Sequence, residues 1–251
     1  MCSISVVVVV YNKRIDESAA LASLTGIEGL TVYVADNSTR DMGNEALAVK
    51  AGYTYINMGG NAGLSKAYNK VIGRIEKDDG FVCLFDDDTA ISPAYFDALR
   101  ADAEKNGGIN LFVPIVKDAS GMLSPCVFKG MRGRRAASAA DIPPKSFTAI
   151  NSGLAIRTRV FKDYRYDESL FLDYIDHAFI RDIVEHDKSK VRIMEVSIQQ
   201  QFSGSERQSR QDALTRYAIF AKDVRYFGRK YGEPRLRVWL LLIRRRLKLL
   251  L

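Results

Sequence analysis

The chain has 251 residues, 47% of them hydrophobic, which is enough for one well-buried core with an appendage. The three cysteines, Cys2, Cys83 and Cys126, form no Cys-x-x-Cys pair, which excludes a disulfide framework and points to a reducing compartment. The formal net charge of +7 is uneven, since 13 Lys and Arg stand against four Asp and Glu from position 205 onwards, and the near-neutral body argues against a nucleic-acid-binding module.

The elements alternate from the start. Residues 3–11, with five consecutive Val at 6–10, read as a strand buried on both faces rather than a targeting segment, because Asn12, Lys13 and Arg14 follow at once. A helix over 16–25, stopped by Gly26, leads to a second strand over 30–35. Asp36, Asn37 and Ser38 then suit a turn that bonds its own backbone. Residues 40–51 read as a helix and 53–58 as a short strand. The loop from Gly59 to Gly63 needs positive φ or a close approach to its backbone. Apolar residues at helical spacing, Leu64 to Ile75, place an amphipathic helix over 63–76.

The next strand, 81–85, is five apolar residues that end in Asp86, Asp87 and Asp88. In open α/β sheets, ligands lie outside the carboxyl ends of strands. Adjacent carboxylates repel one another unless a cation offsets them. Asp86 and Asp88 are two apart, so in an extended turn they point the same way, a donor set that suits Mg²⁺ or Mn²⁺. The plain alternative is a solvated acidic turn before the helix over 93–105.

Downstream, 110–116 reads as a strand, 129–145 as a mobile loop carrying Arg132, Arg134 and Arg135, and 147–156 as extended. A helix over 173–185 would set Asp173 and Asp176 on one face. Residues 191–202 read as a strand, 208–231 as a long helix, and 235–251 as a final segment set off by Pro234. The regular alternation predicts an α/β fold with a doubly wound, mostly parallel sheet flanked by helices. A catalytic domain is expected over 1–205, with a nucleotide half to 116 and an acceptor half from 117, followed by a basic helical extension over 206–251.

In order along the chain stand Tyr11 and Asn12; Asp36 and Asn37; Gly60, Asn61 and Gly63, with Asn69 a turn further on; Asp86 to Asp88; Asn151, Ser152 and Gly153; and Asp173 to Asp176. This series resembles the inverting glycosyltransferases of family 2, with the Rossmann-like GT-A fold, and in particular the bacterial rhamnosyl- and galactofuranosyltransferase-like members, over about residues 3–205. The resemblance implies a nucleotide-sugar donor, UDP- or dTDP-linked, and a lipid-linked or glycan acceptor. It assigns the metal to Asp86 and Asp88, with Asp87 in the variable position on the donor side. It makes Asp176 the base, with Asp173 the runner-up. Tyr11, Asn12, Asp36, Asn37, Gly60, Asn61 and Gly63 line the donor side, Asp36 either meeting the pyrimidine or ribose or capping its turn. Ser152, Gly153 and His177 lie towards the acceptor. Arg207 and Arg210 can close on the diphosphate or stand on a solvated helix face. The chain departs from the pattern at Ala178, where a carboxylate is usual, and at Gln199, Gln200 and Gln201, where relatives carry a metal-binding His. A neutral amide is the poorer ligand.

The spacing is not that of a dehydrogenase-type dinucleotide loop. A haloacid-dehalogenase-type phosphohydrolase would want Thr at Ala90 and its first Asp near the N-terminus. A non-catalytic membrane-associated partner with the same fold is a further rival. The tail, with six apolar residues from Val238 to Ile243 flanked by six basic ones, is too short to span a bilayer. It reads as an amphipathic helix on an anionic membrane, on the cytoplasmic face, with Trp239 at the headgroups; a homodimer-forming helix is the competing reading.

Overall fold

A computed structural model describes residues 2–75, 80–186, 190–200 and 210–249. The elements run β1 (Ile4–Val10), α1 (Ala19–Leu24), β2 (Leu30–Asp36), α2 (Asn44–Lys50), β3 (Thr54–Asn57), α3 (Leu64–Ile72), β4 (Phe81–Asp86), α4 (Pro93–Lys105) and β5 (Leu111–Asp118). There follow β6 (Gly121–Ser124), β7 (Cys126–Phe128), β8 (Gly133–Arg134), β9 (Phe147–Thr148), β10 (Leu154–Arg157), α5 (Ile175–His186), β11 (Val191–Gln199), α6 (Arg210–Lys230) and α7 (Arg235–Leu247). The main sheet runs β11-β5-β10-β4-β1-β2-β3, with β6 on β5; β8-β7-β9 form a second, small sheet. Strands β3, β2, β1 and β4 are parallel, as are β5 and β11, and β10 runs antiparallel between β4 and β5. The fold is the mixed α/β, mostly parallel sheet between helices that the alternation predicts.

The apolar run of β1 follows from its place at the sheet's centre. Successive side chains point to opposite faces. Val6, Val8 and Val10 pack with α1, α2 and α4, through Leu21, Leu24, Ala48, Tyr95, Phe96 and Leu99. Val7 packs on the other face with α3, α5 and α6, through Tyr68, Phe179 and Phe227. With both faces covered, no polar alternation survives.

Four expectations are corrected. Helix α2 begins at Asn44, because Gly43, at φ 68°, sets its start. The stretch 129–145 is ordered: β8 pairs with β7, Ser138 and Asp141 close a capping box, and Arg135 pairs with Asp118. Helix α5 starts at Ile175, after Tyr174 at φ 64°, so Asp173 and Asp176 do not share a helix face. Helix α6 is no appendage in its packing: Val224 and Phe227 are fully buried in the same core as β1 and α5.

Candidate active site

The carboxyl ends of β1, β2 and β4 lie on one edge, as their parallel register requires, with Val10 opposite Asp36 and Val9 opposite Asp86. A cleft of about 880 Å³ opens there, with Asp86, Asp173, Asp176, His177 and Gln200 among its lining residues. A smaller recess of about 280 Å³ is lined by Asp86, Asp87, Asp88 and Gln200. Asp86 and Gln200 therefore stand in both, between the two cavities.

The β4 turn is held from below. The Asp86 amide donates to Ser152 Oγ at 3.2 Å, and the buried Thr89 and Ser152 hydroxyls share a hydrogen bond of 2.9 Å. Burial pushes the Asp86 carboxyl up to about 7, and Asp88, Asp176 and Asp87 add to the shift. Asp88 is raised by burial and by Asp87. Asp87 pairs with Lys13 at 2.8 Å, and its carbonyl accepts from Ser18 Oγ and the Ala20 amide of α1.

Among the described residues, no three His, Cys, Asp or Glu side chains group around a metal position. One more donor is available. Gln200 is 9% exposed, and its Oε1 is buried without a hydrogen-bond partner. A buried amide oxygen without a donor is costly unless something meets it. Two carboxylates and this oxygen, all on the small recess, fit a hard divalent cation.

Asp176, on the first turn of α5, is joined at 2.7 Å by the His177 amide and has His177 Nδ1 at 3.8 Å. That ring nitrogen shares a hydrogen bond of 2.7 Å with Thr148 Oγ1, and the ring packs at 4.5 Å on Phe128. Asp173 is engaged elsewhere, in a two-point pair with Arg216 of α6. The segment between β10 and α5 hangs from α6: fully buried Asp223 accepts the amides of Phe171, Leu172 and Asp173 at 2.8–3.0 Å.

Several predicted positions take structural roles. Asp36 is 5% exposed and accepts from the Ser38 amide, Asn44 Nδ2 and Tyr55 Oη, so its carboxylate caps its turn. Asn37 ties that turn to the next loop, donating to Gly63 O and accepting from the Ala62 amide. Asn12 Oδ1 accepts from the Thr39 amide, and Asn61 Oδ1 accepts from the Gly63 amide. Gly63, at φ 88°, is required by this chain and not by a ligand, since a Cβ there would lie 2.7 Å from the Phe171 ring. Gly60, at φ 118°, faces open space. Asn69 clamps Tyr166 through both its amide and carbonyl. Tyr11 stands exposed at the end of β1. Of the two positions expected towards the acceptor, Ser152 is 1% exposed, and the face of Gly153 is closed by Ile198 and Pro114. Arg207 and Gln201 lie outside the described residues, and Arg210 is exposed at the start of α6, lining neither cavity.

Sequence reasoning missed Asp223, Arg216 and Tyr68. Tyr68 shows only helical spacing, yet it lines both cavities, and the charges of Asp86 and Asp176 add to the burial that raises its hydroxyl pKa.

The family model described as glycosyl transferase family 2 matches residues 5–165. Over 179 residues the chain is 30% identical to dTDP-rhamnosyl transferase RfbF of Shigella flexneri, covering 69% of this chain and 60% of that relative's length. It superposes on S. aureus TarS with a TM-score of 0.59 at 17% identity, covering 90% of this chain and 40% of that one. The mannosyltransferase PcManGT of Pyrobaculum calidifontis, in complex with GDP-Man and Mn²⁺, gives a TM-score of 0.58 at 14% identity, covering 90% of this chain and 64% of that one. These glycosyltransferase neighbours share the GT-A fold.

Proposed function

The chain belongs to glycosyl transferase family 2, and on that premise we propose that it moves a sugar, with inversion, from a pyrimidine nucleotide donor to a hydroxyl of a glycolipid or polysaccharide precursor. The similarity to a dTDP-rhamnosyl transferase favours dTDP-rhamnose over a UDP-sugar. The observation that carries the reading is the placement of Asp86 between two cavities, one shared with Asp88 and the other with Asp176.

In this reading the nucleoside diphosphate occupies the recess side and the acceptor enters the large cleft. Exposed Tyr11 offers a ring to the base. Asp86, Asp88 and Gln200 Oε1 would hold Mg²⁺ or Mn²⁺, which when bound neutralises charge on the departing diphosphate. Asp176 takes the proton of the acceptor hydroxyl. The acceptor oxygen bonds to the anomeric carbon as the bond to the diphosphate oxygen breaks on the opposite face. The proton leaves Asp176 for solvent. Asp173 is a positioning residue, held by Arg216 at the entrance to α5. The enzyme works at the inner face of a membrane, attached through α7.

The test is turnover of dTDP-rhamnose and UDP-sugars with Mn²⁺. Asp176→Asn should lower the rate by about 10²–10⁴-fold while dTDP binding, read by calorimetry, is kept. Full activity in that variant would refute the assignment of the base.

A further inference from the structure

Charges of both signs line the large cleft. Asp86 and Asp176 supply negative ones. Arg132, beside β8, and Arg244, Arg245 and Lys248 of α7 and its end supply positive ones. Among the described residues none of these four cations forms an ion pair, although Asp86 and Asp176 line the same cleft. Arg245 is held in place, its guanidinium 4.3 Å above the ring of Phe220. Burial pushes the Tyr174 hydroxyl up to about 12, and both Arg132 and Arg245 act against that rise, so their positive fields converge on one point of the cleft. Four unpaired cations around a cavity repel one another, and an anion between them removes that cost. Guanidinium groups match the paired oxygens of a phosphate.

We propose that these four cations form one wall of the cleft and make it a subsite for a phosphate-class anion carried by the acceptor, gripped by Arg132, Arg244, Arg245 and Lys248 while the acceptor's hydroxyl reaches Asp176. The proposal rests on the transferase reading of the same cleft. The donor's diphosphate is a poor occupant, because its place is the recess beside Asp88, and none of the four cations lines that recess. The apolar Leu249 lines the cleft beside Lys248 and is itself exposed, and Trp239, Leu240 and Leu247 continue an apolar surface along α7. An anion next to such a surface fits an amphiphile, a saccharide joined to a lipid through phosphate or diphosphate.

Calorimetry on the full chain, with farnesyl diphosphate as the probe and farnesol as its neutral control, tests this. Farnesyl diphosphate should bind and farnesol should not. The double variant Arg244→Gln, Lys248→Gln leaves the Arg245–Phe220 stack intact and should weaken binding about tenfold or more; adding Arg245→Gln should weaken it further. Binding should persist in saturating dTDP with Mn²⁺. Three results would overturn the proposal: unchanged affinity in both variants; displacement of the probe by dTDP, which would give the wall to the donor; or a loss seen only with phosphatidylglycerol vesicles, which would give it to bilayer headgroups. Failure of the wild-type protein to bind either dTDP or UDP is a separate result, and it overturns the transferase reading itself.

Discussion

Asp86 stands at the point of greatest electrostatic conflict, a buried carboxyl with three other carboxylates adding to the shift that burial starts. Its ordinary value is 3.8, and in the folded chain it is pushed up to about 7. Between those values the folded chain binds a proton that the unfolded chain has released. The metal-free protein therefore loses stability as pH rises through that window and stays less stable above it. Asp86→Asn removes the ionisation. It should raise the unfolding midpoint of the metal-free protein at pH 8 and leave it nearly unchanged at pH 4. Thermal unfolding at the two pH values in a chelating buffer measures this, and an equal shift at both would show that Asp86 is not the group responsible. The same conflict explains why Gln200 suits its place. In the proposed metal site its neutral oxygen would add a donor beside Asp86 and Asp88 without adding a fifth charge.

Helix α6 shows how far the site depends on an element remote from it in sequence. Its Asp223 satisfies three consecutive amides of the segment that leads into Asp176. Asp223→Ala would leave those donors buried and unmet, at about 1–3 kcal/mol for each that water cannot reach. Urea unfolding should show a loss of several kcal/mol, and turnover should fall along with it. An unchanged midpoint would mean that the segment holds itself. None of this was legible in the sequence. A period-two or period-3.6 pattern reports which face of an element is buried, so β1, β4 and the apolar face of α3 could be read directly. An acid on a long basic helix looks like any solvated charge until the fold brings residue 223 to residue 171. Asp86 and Asp88 were legible because a strand end followed by carboxylates is a local signal. The start of α5 was misread for the same reason in reverse, since Tyr174 takes positive φ under tertiary constraint, as its hydroxyl reaches the Met131 carbonyl at 2.9 Å. The glycine loop gave the correct local demand at Gly63 and the wrong partner, because the atom that crowds it belongs to Phe171.

At the scale of the whole molecule, α7 presents two faces. Leu241 and Leu242 turn inward and join the main core, so deleting the helix would damage the fold as well as any surface it serves. Leu236, Trp239 and Leu240 point outward, each more than half exposed. No helix among the described residues is long and apolar enough to cross a membrane. An interfacial helix needs an apolar face flanked by cations, and α7 has both. Trp239→Ser with Leu240→Ser tests that face alone. Burying each side chain contributes about 1.5–3 kcal/mol, so the double variant should bind anionic vesicles at least about tenfold more weakly. Its unfolding midpoint should match the wild type, because neither residue is in the core. Wild-type binding should also weaken with added salt, since the cations act through a screened field. Co-sedimentation with phosphatidylglycerol vesicles measures both. Equal sedimentation of variant and wild type would remove the membrane role, and a drop in oligomeric mass in its place would assign the face to a second copy of the chain.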